Sequence, residues 1–418
     1  MHQTLQKSKK VTIFVDGEFI PSYSGAANRF HYLSRALQEH TDTEIIIILC
    51  DRGWSDIKQI KRESFKTYLV HPKLFKNINF LTLILKKEGV DIIQFANLEL
   101  AIEVGMQLSN NLNKHLIFEA HYEDYEFAKS VGASENTLDN ILFLQNTFGK
   151  YFDKVIALSA EDAKLSRNMR INQEDITVIP SGVYLDDFSK SCFDDLSKKI
   201  VFFGNIYFDI NLKAVEAIKN TMYRKLADAG FKFYIIGDIS RAEKEKLRDN
   251  KFLIIGKQEK LIKYFNKSTI ALAPIFKGSG IRVKILNYLN AGIPVVTTSE
   301  GARGLRRKDL LIIENDLGKY PTLIEKLVKE RKTLINLSKL GRRFVRENMS
   351  WEIVSKLVSK EYDYLLKTPV IPKEIAVHKI LKLKFGDPVW IKEIIKKKRF
   401  KRIYPYIGVD RYTVISKK

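Results

Sequence analysis

The stretch KGSGIRVKILNYLNAGIPVVTTSEGARGL, residues 277–305, joins a glycine-rich turn to an apolar, helix-like segment. Pro274 ends the strand-like segment before it, and Gly278, Ser279 and Gly280 follow within a few residues. Glycines let a bulky anion approach the backbone closely, and the N-terminus of a helix favours negative charge. The turn is therefore a candidate anion site, provided that a helix starts directly behind it.

Two cations follow this turn, at the start of a predicted helix that begins near Ile281. Arg282 and Lys284 oppose the helix dipole there, so an anion between them would relieve the unfavourable charge. An arginine side chain holds phosphate oxygens bidentately, whereas a lysine acts as a point charge. The stretch thus predicts a phosphate site with a diphosphate as ligand. The alternative is a surface loop before a solvated helix start.

Short β-branched runs alternate with helical segments on both sides of this stretch. Continuous apolar strands are typical of parallel sheets that are covered by helices on both faces. The alternation of strand and helix predicts an α/β fold of two doubly wound parallel sheets. The predicted strands are 11–16, 44–49, 90–96, 115–121, 154–159 and 176–180 in the first half, and 199–204, 231–237, 252–256, 269–275, 294–299 and 310–315 in the second.

The alternation of strand-like and helical segments stops after Pro180, where polar and acidic residues replace the apolar runs. Residues 184–198 are therefore the predicted linker between two domains, 1–183 and 199–351. Two such sheets that face each other form a cleft at the carboxyl ends of their strands, where ligands bind in these folds. Ser350 is predicted to cap a closing helix.

Composition and charge restrict the class of protein. The chain has 418 residues, of which 45% are hydrophobic, and no apolar run approaches the roughly 20 residues that cross a bilayer. The N-terminus lacks the apolar region of a secretory signal, and two cysteines, Cys50 and Cys192, make no disulfide framework. We therefore expect a cytoplasmic protein.

The net charge of +22 is unevenly distributed, because residues 371–418 carry 14 Lys/Arg and only 4 Asp/Glu. Residues 369–418 form a basic C-terminal extension. Its segment 388–403 could place a Trp and Ile side on an anionic bilayer, with its lysines near lipid phosphates. That arrangement would make the protein peripheral at the inner face of the membrane. The alternative is an extra helix that packs on the body of the protein.

Residues 274–305 resemble the donor-binding segment of the family-4 glycosyltransferases. These enzymes have the GT-B architecture, in which two Rossmann-like domains enclose a nucleotide-sugar cleft. The other segments that are similar to the family are 21–37 (the acceptor-side glycine loop and first helix), 154–188 (the entry to the linker), 199–218 (the opening of the donor domain) and 350–366 (the closing helix).

The resemblance implies a retaining, metal-independent transfer of a sugar from a nucleoside diphosphate sugar to a hydroxyl acceptor. The first domain, completed by C-terminal helices of about 352–418, would hold the acceptor, and 199–351 would bind the donor. The implied acceptor is a glycan, a lipid-linked or another hydroxyl compound, in cell-envelope or natural-product glycosylation. The implied catalytic residues are His121, Arg282 and Lys284. The implied donor-binding residues are Gly204, Asn205, Gly278, Ser279, Gly280, Asn287 and Glu300, and the acceptor-side loop contains Ser24 and Gly25.

Several of these roles have plainer alternatives. His121 would lie near the donor sugar, or it is a strand-end histidine without a role. Gly25 would let the backbone approach the diphosphate or acceptor, or it is an ordinary turn glycine. Many family members carry Glu-x7-Glu here, and Asn287 replaces the second Glu, which meets the ribose; its neutral amide makes weaker bonds. Glu300 would bind ribose or sugar, or it caps the next helix.

No cofactor or metal is expected, because the seven histidines and two cysteines show no metal-ligand spacing. Three functions remain open at this point. The first is a retaining glycosyltransferase, and the second is a non-catalytic glycosyltransferase-like subunit, suggested by Asn287. The third is a basic protein that binds nucleic acid or membranes; the charge permits it, although no recognised nucleic-acid module is present, so nucleic acid is not an expected partner.

Overall fold

The computed structural model divides the chain into two compact units, which are described separately. The first unit comprises residues 1–129, 133–179 and 355–418, and the second comprises 130–132 and 180–354. The residues that the structure describes are 8–16, 25–50, 65–121, 125–130, 132–165, 169–188, 193–194, 196–258, 260–277, 281–373, 377, 380 and 384.

The first unit is built on a seven-stranded sheet in which neighbouring strands run parallel, in the order β3-β2-β1-β4-β5-β6-β7. Residues 45–50 of β2 are all buried, as expected for an apolar strand that is covered on both faces. The strands are β1 (Lys9–Val15), β2 (Thr43–Cys50), β3 (Lys66–Val70), β4 (Ile92–Phe95), β5 (His115–Ala120), β6 (Lys154–Ala157) and β7 (Ile176–Val178).

The helices of this unit connect successive strands, and its last helix comes from the C-terminal part of the chain. They are α1 (Gly25–His40), α2 (Ile78–Glu88), α3 (Leu98–Leu100), which continues through a π-helical segment (Ala101–Gly105) into α4 (Met106–Leu112), α5 (Tyr125–Ser130), α6 (Glu135–Phe148) and α7 (Ala160–Leu165). The closing helix, α15 (Trp351–Leu365), enters the unit at Ser355.

The second unit is built on a six-stranded parallel sheet with the order β10-β9-β8-β11-β12-β13. Its strands are β8 (Lys199–Phe203), β9 (Lys232–Ile236), β10 (Phe252–Gly256), β11 (Ile270–Ala273), β12 (Val295–Thr297) and β13 (Leu311–Ile313). Its helices are α8 (Asp209–Thr221), α9 (Tyr223–Asp228), α10 (Arg241–Leu247), α11 (Ile262–Phe265), α12 (Val283–Asn290), α13 (Tyr320–Lys329) and α14 (Arg331–Asn348).

The doubly wound α/β fold class that the sequence predicts is confirmed, because each predicted strand is present in a parallel sheet. The edge strand β3 (Lys66–Val70) is additional. Its sequence KTYLV is short and its first four side chains are partly or fully exposed, so it lacks the apolar run that marks the other strands. Ser350 caps α15 as predicted, because its Oγ accepts a hydrogen bond of 3.2 Å from the N–H of Ile353.

The chain beyond α15 is fastened to the first unit by a buried carboxylate. Asp153 accepts hydrogen bonds from the N–H of Ile371 at 2.7 Å and from Lys373 Nζ at 2.8 Å. Val377 is 3% exposed in the core of this unit, and Lys384 Nζ lies 5.2 Å from the ring centroid of Phe143. The start of the extension therefore packs on the body of the protein, whereas segment 388–403 lies outside the described residues.

Candidate functional site

The strand order of the second unit defines a switch point between β8 and β11, where the chain direction across the sheet reverses. Ligands of open parallel sheets bind at the carboxyl ends of the strands beside such a point. The Gly204-Asn205 turn follows β8, and the segment that leads to Arg282 and Lys284 follows β11. Gly204, Asn205, Arg282 and Lys284, which the sequence analysis singles out, therefore follow the two strands beside the switch point.

Helix α12 begins at Val283, two residues later than predicted, and Arg282 is its N-cap residue. Lys284 therefore lies in the first helical turn, where a cation opposes the helix dipole. Asn287 follows three residues later, a spacing that puts it on the same face of the helix as Lys284. The predicted turn residues Gly278, Ser279 and Gly280 lie outside the described residues.

The half-buried side chain of Lys284 is held close to the β8 turn. Its Nζ donates a hydrogen bond of 2.5 Å to Asn211 Oδ1 and lies 4.5 Å from the ring centroid of Phe202. A Cβ atom on Gly204 would lie 2.7 Å from Nζ, so a side chain there would displace the amine. Burial, with the charge of Arg282 as a second cause, lowers the pKa of Lys284 to about 7.

The Gly204-Asn205 turn is fixed by neighbouring backbone and side-chain groups. The N–H of Gly204 donates to the carbonyl oxygen of Ile236 at 3.0 Å, which continues the β8–β9 pairing. Asn205 Oδ1 accepts from the N–H of Tyr207 at 3.1 Å. The carbonyl oxygen of Asn205 accepts from Asn211 Nδ2 at 2.7 Å. Asn211 therefore contacts both the turn and Lys284.

Arg282 is oriented by an acidic residue from the next strand-end loop. Its Nη2 donates to Glu300 Oε1 at 3.2 Å, and the Arg303 guanidinium lies 3.8 Å from the same oxygen. The idea that Glu300 caps a following helix is wrong, because turns follow it and the next helical residues are the 3-10 segment Lys308–Leu310. Glu300 instead offsets part of the positive charge of Arg282.

His121 follows β5 in the first unit and is buried. Its Nε2 lies 2.6 Å from Glu119 Oε1, and its ring stacks on Phe30 with centroids 4.9 Å apart. Gly25 is the first residue of α1, and Ser24 lies outside the described residues.

A buried polar network surrounds Glu119. Arg29 donates from Nε to the oxygen that His121 contacts, and Gln94 donates from Nε2 to the other carboxylate oxygen. Burial alone would raise the pKa of Glu119, but the charges of Arg29 and His121 and their hydrogen bonds lower it to about 2. Tyr362 on α15 completes the network by donating to Gln94 Oε1 at 2.7 Å.

Sequence reasoning missed both Asn211 and Glu119 as site residues. Glu119 could have been found, since residues two apart in a strand project on the same face and His121 directly follows that strand. Asn211 carries no comparable signal, because its partner Lys284 is 73 residues away.

The described part of the chain holds no group of three His, Cys, Asp or Glu side chains that could bind a metal ion. No helix within the same residues combines the length and the apolar character that a membrane span requires.

Two family models match adjacent parts of the chain. Residues 23–187 match the model described as Glycosyltransferase Family 4, and residues 197–330 match the model described as Glycosyl transferases group 1. No curated protein sequence matches the chain significantly.

Solved structures share the fold at low sequence identity. A glycosyltransferase from Rickettsia africae has a TM-score of 0.66 and 18% identity, with 86% of this chain and 99% of that chain covered. HepE of Anabaena in complex with UDP has a TM-score of 0.64 and 12% identity, with 85% of this chain and 100% of that chain covered. Sucrose-phosphate synthase of Thermosynechococcus elongatus has a TM-score of 0.64 and 15% identity, with 85% of this chain and 99% of that chain covered.

The family matches cover both units, and each unit has the parallel sheet of the solved structures. The chain belongs to the family-4 type of glycosyltransferases with the GT-B architecture.

Proposed function

We propose that this glycosyltransferase is a retaining, metal-independent enzyme that moves a sugar from a nucleoside diphosphate sugar to a hydroxyl acceptor. The observation that carries the donor assignment is the position of Lys284. Its amine lies at the start of α12 and beside the side-chain-free Gly204, at the switch point of a parallel sheet. A diphosphate suits this position because the helix N-terminus and the amine both favour negative charge.

The diphosphate would bind between Arg282 and Lys284, with backbone N–H groups of residues 278–280 as further donors. Lys284 has a pKa near 7, so a bound anion would favour its protonated form. When the bond between the sugar and the diphosphate breaks, the electron pair stays on the phosphate oxygen. Preorganised cations at that oxygen stabilise the developing charge.

The acceptor hydroxyl oxygen would form the new bond to the sugar on the same face, and its proton would leave to the diphosphate or to solvent. His121 is proposed to contact the donor sugar, and Ser24 and Gly25 are proposed to lie in the acceptor-side loop. Asn205 and Asn287 would bind the donor, and Glu300 would do so once the diphosphate competes for Arg282. No cofactor is required for these steps.

The relatives support a nucleotide donor without identifying it. HepE, which shares the fold, has been solved with UDP and with UDP-glucose. The acceptor that we propose is a glycan, a lipid-linked or another hydroxyl compound in cell-envelope or natural-product glycosylation. The basic segment 388–403 would hold the enzyme at the cytoplasmic face of an anionic membrane, beside such an acceptor.

A screen of UDP, GDP, ADP and dTDP sugars tests the donor assignment, with thermal stabilisation and sugar release as readouts. Wild-type protein should bind one donor, and Lys284→Ala should weaken that binding about tenfold or more because a charge-assisted contact is lost. Lys213→Ala, an exposed lysine on α8, is the matched control. Equal binding by the Lys284 variant would refute the assignment.

The same screen tests catalysis. Binding without turnover would favour the non-catalytic subunit, and the anomeric configuration of the product decides whether the enzyme is retaining.

A further inference from the structure

Asn211 lies in the first turn of α8 and joins two parts of the donor site that come from distant segments of the chain. Its Nδ2 donates to the carbonyl oxygen of Asn205 at 2.7 Å, and its Oδ1 accepts from Lys284 Nζ at 2.5 Å. Only a side chain that has both a hydrogen-bond donor and a hydrogen-bond acceptor can make these two bonds at once, and a side-chain amide has both.

The amine of Lys284 is confined on several sides by its neighbours. Asn211 binds one of its N–H groups, the Phe202 ring lies 4.5 Å away, and Gly204 leaves room for the amine where any side chain would collide with it. A lysine side chain is otherwise flexible. These contacts hold the amine in one place before a ligand arrives, which reduces the entropy that binding must overcome.

The Asn211 Oδ1 atom that accepts the hydrogen bond from Lys284 carries no net charge, and this matters as much as its position. Of the residues that the structure describes, no carboxylate forms an ion pair with Lys284, whereas Arg282 is paired with Glu300. A neutral amide oxygen orients the amine but leaves its charge available to an anion. A carboxylate in the same place would orient the amine equally well and neutralise it.

We infer that Asn211 is a positioning residue of the donor site: its neutral amide aims Lys284 at the diphosphate and ties it to the Gly204-Asn205 turn without compensating its charge. This inference rests on the proposed function of Lys284 as a diphosphate ligand. Asn211 itself does not contact the reacting atoms.

The first test is Asn211→Asp, which keeps the shape of the side chain, places a negative charge beside Lys284 and removes the N–H donor to Asn205. The probe is whichever of UDP, GDP, ADP and dTDP stabilises the wild-type protein most. We expect the affinity to fall more than tenfold at pH 7, because the new carboxylate competes with the diphosphate for Lys284. The wild-type affinity should decline as the pH rises above about 7, and this decline should shift to higher pH in the variant, since a carboxylate raises the pKa of a neighbouring amine.

The control is Asn220→Asp, the same substitution at an exposed position of the same helix. It should leave both the affinity and the pH profile unchanged. An Asn211→Asp variant that folds and keeps the wild-type affinity and pH profile overturns the inference.

A double-mutant cycle with Asn211→Ala and Lys284→Ala gives a second test, which also decides the matter if the Asp variant does not fold. Asn211→Ala alone should weaken nucleotide binding by about three- to tenfold, the effect of one lost hydrogen bond. In the Lys284→Ala background its effect should be much smaller, because Asn211 acts mainly through Lys284 and only its bond to Asn205 remains to be lost. Additive effects would overturn the inference. Unchanged binding in Lys284→Ala alone would instead refute the proposed function, so the two failures are distinguishable.

Discussion

The burial of Lys284 lowers the free energy of unfolding of the protein when this side chain is charged. Burial, followed by the charge of Arg282, lowers the pKa of Lys284 from its ordinary value of 10.5 to about 7. Between these values the unfolded chain binds more protons than the folded one, so this group makes the free energy of unfolding rise with pH. Below pH 7 the penalty is fully present, and it disappears towards pH 10.5.

The substitution Lys284→Met should remove this penalty. In the absence of nucleotide we expect the variant to be more stable than the wild type at pH 7, by on the order of 2 kcal/mol after allowance for partial exposure. The advantage should shrink as the pH rises towards 10. Urea unfolding at pH 7, 8.5 and 10 measures both effects, with the exposed Lys213→Met as control. A constant difference across this range would contradict the shifted pKa.

The sequence predicts Arg282 and Lys284 because they are close to each other and to a glycine-rich turn along the chain. It does not predict Asn211, since a hydrogen bond between residues 73 positions apart depends on how β8 and β11 pair. It also does not predict the ion pair between Arg282 and Glu300, which brings together the ends of two neighbouring strands. Local chemistry can be predicted from the sequence, whereas the partners of each group come from the sheet order.

At the scale of elements, one buried network connects two helices to the first sheet. Arg29 belongs to α1, Glu119 to β5, Gln94 to β4 and Tyr362 to α15. The carboxylate of Glu119 is fully buried, so its charge is tolerated only because Arg29 and His121 are in contact with it. The network therefore links the position of His121 to the attachment of α1.

Breaking this network should be costly in a way that depends on pH. Glu119→Gln removes the charged partner of the buried Arg29–Glu119 ion pair, and we expect a loss of about 3–5 kcal/mol at pH 7. Because the pKa of Glu119 is lowered to about 2, its stabilisation is present above its ordinary value of 4.5 and is lost as the pH falls towards 2. The difference between wild type and variant should shrink over that range in urea unfolding.

The exposed pair Arg35–Glu39 on α1 supplies the control for this prediction. Glu39→Gln removes a surface ion pair, so the expected loss is below about 0.5 kcal/mol and should vary little with pH. Comparable losses from the two substitutions would show that Glu119 is not a buried, compensated charge.

The strands themselves were the most predictable elements, because parallel strands that are covered on both faces must be apolar along their length. Strand β3 is not predicted, because its sequence KTYLV begins with two polar residues and its first four side chains are partly or fully exposed. Helix α12 begins two residues later than the sequence predicts, because the N-cap is set by the backbone angles of Arg282 and not by its side-chain type.

At the scale of the whole molecule, the chain leaves the first unit after Ile179 and returns to it at Ser355. The family models match residues 23–187 and 197–330, so the returning segment is matched by neither. The structure nevertheless gives this segment contacts in the first unit. Tyr362 joins the Glu119 network, Lys373 pairs with Asp153, and Val377 is buried in the core.

Two truncations separate the structural part of the C-terminal extension from its proposed membrane-binding part. A chain that ends after Thr368 lacks Lys373 and Val377, so Asp153 would lose its cation and the core would lose a side chain. We expect a destabilisation of about 3 kcal/mol or more, seen as a lower unfolding midpoint in urea. A chain that ends after Lys384 keeps both contacts and should retain the wild-type midpoint.

The longer truncated chain then tests the membrane proposal without the complication of unfolding. It lacks the basic segment 388–403, so its sedimentation with vesicles of anionic phospholipid should fall well below that of the full chain. Neither chain should sediment with vesicles of neutral phosphatidylcholine, and 1 M salt should release the full chain, because the attraction is electrostatic and the Debye length is then only about 3 Å. If the chain that ends after Lys384 sediments like the full chain, the membrane contact lies elsewhere, and the extension serves only to complete the first unit.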